Sequence, residues 1–223
     1  MTGELYVVAT PIGNLDDITL RALKVLNQVD AVVCEDTRVT QKLLQRHGLR
    51  KPLLSYHHHS SAAQADKLIG RLLAGESLAY VSDAGTPGVS DPGGKLVAAA
   101  AANNIKVVPI PGATAVAAVL SVAGIPTQEF VFLGYPPHKK GRQKFFTELI
   151  QLTRPVVFYE STHRIKKTLA ELDKLIPGRN LIVGRELTKI FETIYRGTAA
   201  DIIKLLAESS IKGEFVVVVS RQN

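Results

Sequence analysis

The first half of the chain alternates short apolar runs with longer segments whose apolar residues recur at helical spacing. Strands are predicted at Leu5–Ala9, Ala31–Cys34, Pro52–Ser55, Leu78–Val81 and Val107–Ile110. Helices are predicted at Ile18–Leu26, Thr37–Arg46 with Thr37 as its cap, Ala62–Leu73 and Lys95–Ala102. This alternation is typical of a mostly parallel sheet with helices on its faces. Ligands of such sheets bind beyond the carboxyl ends of the strands, so we expect the polar segments there to converge.

The second half has a different pattern, since two of its predicted strands are separated only by the short stretch RELTKIFE. Its predicted strands are Phe130–Leu133, Pro155–Tyr159, Leu181–Gly184, Glu192–Tyr195 and Glu214–Ser220, and its predicted helices are Arg142–Gln151, Ile165–Leu175 and Ala199–Ala207. The short spacing favours an antiparallel pair and hence a mixed sheet. Glycine and proline near Gly124–Gln128 suggest a boundary. The prediction is an α/β protein with domains at 1–125, with the mostly parallel sheet, and 126–223, with the mixed sheet.

Composition limits the class of protein further. With 223 residues, 46% of them hydrophobic, the chain can bury a sizeable core. No apolar run reaches the roughly 20 residues that span a bilayer, and no basic-then-apolar leader opens the sequence. The single cysteine, Cys34, lies in an apolar strand and excludes an internal disulfide, which favours a reducing compartment. We therefore expect a cytoplasmic protein without a membrane contact, and the charge of +7 favours a polyanionic partner.

A loop rich in glycine and proline, VSDAGTPGVSDPGG, joins the predicted strand that ends at Val81 to the next predicted helix. Ordered loops of this length are usually functional. The loop contains no GxGxxG, and Gly94-Lys95 lacks the spacing of a P-loop, so the common nucleotide motifs are excluded. Close backbone approach suits a small polar or zwitterionic ligand. The alternative is an elaborate turn held by side-chain hydrogen bonds from Asp83 and Asp91.

Three further polar segments follow predicted strands. In TPIGNLDDIT, Asn14, Asp16 and Asp17 either cap a helix or face a ligand. In CEDTR, Glu35 and Asp36 either form a local ion pair with Arg38 or orient a substrate hydroxyl and accept its proton. SYHHHSS contains three consecutive histidines, but neighbouring side chains point to alternate faces and no ligand stands at metal spacing. A surface loop, or one whose histidines face a phosphate, fits that segment better than a metal site.

Cations cluster twice in the second half, in HKKGRQKFF and again in THRIKK, where the next helix is predicted to start. Each cluster is either a solvated helix face or part of a phosphate-binding surface. YESTHR and RELTK each combine a carboxylate with cations. Glu160 and Glu186 either pair with Arg164 and Arg185 as structural bridges or close over a ligand. No GxSxG elbow is present and Cys34 has no evident histidine partner, so covalent nucleophilic catalysis is unsupported.

Seven motifs in order, YVVATPIGNLDDIT, CEDTR, VSDAGTPGVSDPG, PIPGATA, YESTHR, RELTK and GEFVVVV, resemble the bacterial ribosomal RNA small-subunit methyltransferase I family, within the tetrapyrrole methylase superfamily. The resemblance covers nearly the whole chain. It implies a two-domain class III methyltransferase fold that binds S-adenosylmethionine (SAM) in the cleft between domains, and a homodimer. The implied reaction is metal-free methylation of the ribose 2′-hydroxyl of a cytidine in the decoding region of 16S rRNA, on the small ribosomal subunit.

The resemblance also assigns cofactor contacts, and the chemistry of the residues gives candidates for proton transfer and for RNA contact. The implied SAM contacts are Pro11, Asp83, Gly85, Thr86, Pro87, Val89, Ser90, Ala113, Thr114, Glu186 and Gly213. The candidates for accepting the hydroxyl proton are Glu35, Asp36, His57 and Lys189, of which a lysine or histidine must be neutral to act. The candidates for RNA contact are Arg38, His59, Lys139, Lys140, Arg142, Lys144 and Arg164.

One departure and two alternatives accompany this interpretation. Family members carry an acidic or amide residue among the histidines of the third segment, where this chain has His58, Ser60 and Ser61. A methyltransferase of the same fold that acts on a tetrapyrrole or another small molecule is the first alternative. The second is a noncatalytic RNA-binding protein that retains the fold, which predicts RNA affinity without turnover.

Overall fold

The computed structural model describes residues 2–90, 93–208 and 211–221. Asp91 and Pro92 of the predicted ligand loop lie outside the described residues. The chain forms two compact units, Met1–Thr114 and Ala115–Asn223. A search of the described residues for a helix long and apolar enough to cross a membrane finds none.

The first unit is built on a parallel sheet with the strand order β3-β2-β4-β1-β5. Its elements are β1 (Leu5–Val8), α1 (Leu20–Gln28), β2 (Ala31–Cys34), α2 (Thr37–Arg46), β3 (Leu53–Ser55), α3 (Ala62–Leu73), β4 (Leu78–Val81), α4 (Gly93–Ala102) and β5 (Val107–Ile110), with one turn of 3-10 helix at Leu15–Asp17. Every strand pair in this sheet is parallel. The predicted parallel α/β architecture is confirmed.

Helices cover both faces of this sheet, and its central strands β2 and β4 are buried along their whole length. Tyr80 and Leu72 belong to the core on one face, while Leu26 and Val32 belong to the core on the other. Local capping fixes where the helices begin, because a side-chain oxygen satisfies an amide of the first turn. The cap of α2 is Asp36, which accepts from the Arg38 amide at 2.8 Å. The prediction of Thr37 as that cap is therefore wrong by one residue.

The second unit is built on a mixed sheet with the order β6-β7-β10-β8-β9. Its elements are α5 (Ala115–Ser121), β6 (Val131–Phe132), α6 (Arg142–Gln151), β7 (Val156–Ser161), α7 (Ile165–Leu175), β8 (Leu181–Arg185), β9 (Thr193–Gly197), α8 (Ala199–Ala207) and β10 (Glu214–Val219). Strands β6 and β7 are parallel to each other. Strand β10 is antiparallel to its neighbours β7 and β8, and β8 is antiparallel to β9. The mixed sheet and the antiparallel RELTKIFE pair are confirmed.

Helix α5 was not predicted as a helix, and it explains where the units divide. It contacts β10 and β8 of the second unit. The predicted division after residue 125 placed this segment in the first domain. Its apolar residues Val116 and Val119 are buried. Because α5 contacts strands of the second sheet, it belongs to the second unit.

Candidate functional site

Loops that follow β1, β4 and β5 are joined by hydrogen bonds at the carboxyl edge of the first sheet. Thr10 and Gly85 form an isolated antiparallel bridge, with N···O distances of 2.9 and 3.1 Å. The Thr10 hydroxyl donates to the Ser82 carbonyl at 3.1 Å, and the Thr86 hydroxyl donates to the Ala113 carbonyl at 3.1 Å. The expected convergence of these segments is confirmed. Thr10 and Ser82 were not among the predicted site residues, although both stand at the carboxyl ends of strands.

Glycine is required where these loops approach one another. Gly85 is buried with φ +82°, and a Cβ there would lie 3.3 Å from Ile12 Cγ2 and 3.6 Å from the Ala113 carbonyl oxygen. Gly88 has φ +87° and open space where a Cβ would stand, and Ser90 also has a positive φ of 70°. The loop therefore packs tightly on one side and leaves backbone accessible at Gly88.

This arrangement fits a zwitterionic sulfonium ligand such as SAM. Gly88, Val89 and Ser90 are exposed, while Pro11 and Pro87 are buried. The exposed Asp83 supplies a carboxylate where the β4 loop begins. Backbone polar groups can hydrogen-bond the adenosine and the amino-acid end of such a ligand, and a carboxylate can balance its cationic sulfur. The remaining residues assigned to SAM in this unit, Gly85, Thr86, Ala113 and Thr114, lie on the joined loops.

At the end of β2, Asp36 makes the local ion pair that was one of its two predicted roles. Its carboxylate binds Arg38 through Nε at 3.0 Å and Nη2 at 2.6 Å, and its backbone amide donates to Asp83 at 3.0 Å. Hydrogen bonds from the Arg38 side chain and amide lower the pKa of Asp36 to about 2. Asp36 is consequently a poor proton acceptor, and Arg38, although exposed, already has an anionic partner.

The histidine segment follows β3 at the same edge of the sheet, and its histidines are exposed. His57 Nδ1 accepts from the His59 amide at 3.2 Å, so the neutral ring carries its proton on Nε2. In this geometry the outward nitrogen of His57 is a donor, which disfavours it as a base. Within residues 2–90, 93–208 and 211–221, no cluster of three metal-ligating side chains is found.

Two predicted cofactor contacts, Glu186 and Gly213, are neighbours in the second unit. Gly213 has φ +123°, and a Cβ there would collide with the Glu186 side chain. Glu186 has φ +50°, and its Oε1 accepts from Lys189 Nζ at 2.8 Å and from the Glu214 amide at 2.9 Å. Burial opposes the charge of Lys189, but bonds to Glu186 and Glu214 outweigh it and raise the pKa of the lysine. Lys189 is therefore held as a cation and is disfavoured as a proton acceptor.

Arg142 and Arg164 belong to a buried network, which disfavours their predicted role as RNA contacts. Arg164 Nε lies 2.9 Å from Glu160 Oε1, and Arg142 Nη1 lies 3.9 Å from Glu160 Oε2. Arg142 also donates to Glu171 at 2.8–2.9 Å and to Thr168 at 2.7 Å. Side-chain exposure is 8% for Arg142 and 15% for Arg164, too little to hold a phosphate in solvent. The alternative of a structural bridge from Glu160 is the one observed.

Lysines of the same basic run have the opposite environment. Lys139, Lys140 and Lys144 are exposed, and among the described residues none of them forms an ion pair. Their ammonium groups are available to an anionic partner. Arg142 differs because it lies on the inward face of α6, where Phe146 packs under its guanidinium at 5.0 Å.

Comparison with known proteins gives a consistent result. The family model of the tetrapyrrole (corrin/porphyrin) methylases matches residues 4–203. A Neisseria meningitidis serogroup A protein named ribosomal RNA small subunit methyltransferase I is 49% identical over 97% of this chain and 75% of its own length. A Synechocystis protein of the same name is 47% identical over 98% of this chain and 79% of its own.

Solved structures share the fold at lower identity. A cobalt precorrin-4 methyltransferase matches with a TM-score of 0.74 and 20% identity over 97% of this chain and 94% of its own. Diphthine synthase matches with a TM-score of 0.74 and 14% identity over 97% of this chain and 89% of its own. At these identities the likeness concerns the fold alone.

Proposed function

The chain belongs to the ribosomal RNA small subunit methyltransferase I family of the tetrapyrrole methylases, and on that premise we propose that it methylates the ribose 2′-hydroxyl of a cytidine in 16S rRNA. The target lies in the decoding region of the assembled small subunit, and the methyl donor is SAM. The observation that carries the proposal is 49% identity across nearly the whole chain to a protein of that name. The action belongs in the cytoplasm, and the protein acts as a homodimer, as the family resemblance implies.

Residues of the first unit would hold the cofactor. Bound SAM supplies a sulfonium-activated methyl group that a hydroxyl oxygen can displace. The exposed backbone at Gly88 to Ser90 binds polar ends of the ligand, while the bridge between Thr10 and Gly85 fixes the loop that carries them. Asp83 lies close enough to the β2 loop to accept from the Asp36 amide, so its carboxylate is oriented before a cation arrives. Glu186 and Gly213 keep their predicted role as cofactor contacts.

Proton removal falls to Glu35 among the four candidates. Asp36 is tied to Arg38, Lys189 is a paired cation, and His57 presents a protonated nitrogen outward. Glu35 is half-buried at the end of β2, directly before the residue that bonds to Asp83. A carboxylate at that position can accept a proton from a hydroxyl held at the same edge of the sheet.

Lysines of the second unit supply the electrostatic part of RNA binding. Lys139, Lys140 and Lys144 form the proposed contact surface of this unit, and Arg38 and His59 of the first unit keep their predicted role as RNA contacts. Arg142 and Arg164 leave that surface, since their guanidinium groups are used inside the protein. Cations neutralise phosphates without reading sequence, so this surface positions the subunit and does not select the nucleotide.

Labelled SAM, supplied with small subunits from cells that lack the modification, tests the proposal. We expect incorporation into 16S rRNA, and mapping of the labelled nucleotide should give a 2′-O-methylated cytidine. Subunits from unmodified and fully modified cells form the matched pair, because only the former should accept label. Transfer to a porphyrinoid without transfer to rRNA would overturn the proposal in favour of a small-molecule enzyme. Subunit binding without any methyl transfer would favour the alternative of a noncatalytic RNA-binding protein.

A further inference from the structure

A short loop in the second unit, residues 134–137, is fixed to the protein through three of its carbonyl groups. The Gly134 carbonyl accepts from the Tyr159 amide at 2.9 Å. The Pro136 carbonyl accepts from Arg164 Nη1 at 2.6 Å, and the Pro137 carbonyl accepts from Arg142 Nη1 at 3.3 Å. The two arginines that were predicted to bind RNA therefore hold this loop instead.

Tyr135 projects from the loop and remains 50% exposed. Its ring contacts Tyr159 with the centroids 5.3 Å apart, and Tyr159 in turn contacts Phe132 at 5.0 Å. The backbone on both sides of Tyr135 is fixed and its ring is supported from behind. A partner that stacks on this ring would lose little conformational entropy of the protein.

Positive charge lies beside this aromatic surface. His138, Lys139 and Lys140 follow within five residues and are exposed. The carboxylates whose charges act on the Tyr135 phenol, Glu214 and Glu160, pair with Lys189 and Arg164. Burial, with a smaller contribution from those two carboxylates, raises the pKa of Tyr135, so the phenol stays neutral at physiological pH. The local surface thus combines a neutral aromatic face with exposed lysines that form no ion pair within the described part of the chain.

Phe191 provides a contrast within the same unit. It is 70% exposed at the turn between β8 and β9, so its exposure is greater than that of Tyr135. The charged side chains bonded around that turn are Lys189 and the carboxylates Glu186, Glu192 and Glu214. Carboxylates outnumber cations there, which suits a polyanion poorly.

We propose that Tyr135 is a stacking platform for an unpaired base of the rRNA substrate, with Lys139 and Lys140 on the adjoining phosphates. Proteins recognise unpaired RNA by stacking bases on aromatic rings beside a cationic backbone track. A ring beside two lysines matches that chemistry, whereas paired RNA would leave the ring without a base to stack on. The inference rests on the proposed function and adds a substrate-positioning residue to it.

Four variants test the platform: Tyr135→Ala, Tyr135→Leu, Tyr135→Phe and, as the matched control, Phe191→Ala. The measurements are KM and kcat with unmethylated small subunits, the Kd of subunit binding without turnover, and the Kd for SAM. Loss of one stacked base should raise KM and the subunit Kd roughly 5- to 150-fold in the Ala and Leu variants. Phe keeps the π-face and should stay within about twofold of wild type, as should Phe191→Ala. The Kd for SAM should not change in any of them.

Each outcome bears on one proposal. An unchanged KM and subunit Kd in both Tyr135→Ala and Tyr135→Leu would overturn the platform while leaving the methyltransferase intact. A wild type that labels no rRNA overturns the proposed function, and the subunit Kd measured without turnover still decides the role of Tyr135. A change in oligomeric mass on Tyr135→Ala, by light scattering, would place the ring in a contact with a second copy and overturn the RNA assignment. Tyr135→Leu retains apolar volume and serves where Tyr135→Ala does not fold.

Discussion

Glu35 and Asp36 are adjacent carboxylates whose environments differ. Asp36 caps α2 and binds Arg38, whereas Glu35 is half-buried directly after β2. We expect Glu35→Gln to lower kcat by a factor of 10² to 10⁴, as loss of a general base does, with the Kd for SAM unchanged. Asp36→Asn retains a good helix cap and should keep kcat within about twofold. Single-turnover methylation of saturating small subunits measures both, and equal losses in the two variants would remove Glu35 as the base.

The pH dependence of Asp36 follows from its lowered pKa. The unfolded carboxyl titrates at about 3.9 and the folded one at about 2, so its contribution to stability is complete above the former value. It is lost as the pH falls from about 4 to about 2. Lys189 has the opposite sign, since its raised pKa gives stability that is present below about 10.5 and lost above it. The difference in Tm between wild type and Asp36→Asn, and that between wild type and Lys189→Arg, should therefore stay constant from pH 5 to pH 9.

Gly85 is the position where backbone geometry should matter most for the cofactor. A side chain there must adopt φ +82° and also approach Ile12 and Ala113. We expect Gly85→Leu to abolish SAM binding by calorimetry. Gly48 has φ +69°, and a Cβ built there would have no atom within 4 Å. Gly48→Leu is therefore the control variant, since it introduces backbone strain of roughly 1 kcal/mol without a change in the cofactor loop. Retained SAM affinity in Gly85→Leu, with both proteins folded, would contradict the assignment of this loop.

At the scale of elements, α6 illustrates how one basic run divides into two roles. Arg142 faces inward toward Glu160, Thr168 and Phe146, and Lys140 precedes the helix in solvent. We expect Arg142→Ala to lower the free energy of unfolding by about 3 kcal/mol, because it leaves buried polar groups without their partner. Lys140→Ala should change it by less than about 0.5 kcal/mol. Urea unfolding of the two variants makes the comparison, and a stable Arg142→Ala would argue against the buried network.

Sequence patterns predicted most elements because the dominant signals are local. Periodicity set the bounds of α3 and α7 without error, and the apolar run of β10 fits its central position in the sheet. Helix α5 was missed because seven residues after a glycine and proline loop give too little periodicity. Arg142 was predicted to contact RNA because its hydrogen-bond partners Thr168 and Glu171 are 26 and 29 residues away in sequence. Local spacing predicts elements and loops, whereas the partner of a charged side chain depends on tertiary contacts.

For the molecule as a whole, the net charge of +7 acts through only some of its cations. Arg142 and Arg164 are compensated inside the second unit, and Arg38 is paired with Asp36. The charge available to a polyanion in the second unit therefore includes the exposed Lys139, Lys140 and Lys144 and not these arginines. This distribution makes the salt dependence of subunit binding a more specific measurement than the binding constant itself.

Replacing Lys139 and Lys140 with alanine should weaken small-subunit binding and reduce the slope of log K against log salt by roughly 1.4 to 1.8, since two fewer counterion-releasing contacts form. Stability and the Kd for SAM should not change, because both side chains are exposed and unpaired among the described residues. Lys42 and Lys67, both on exposed positions of the first unit, give a charge-matched control pair. If the control pair lowers the slope by the same amount, the attraction is diffuse and the surface at Lys139 and Lys140 has no special role. A lowered slope in the first pair alone would support a defined phosphate track beside Tyr135.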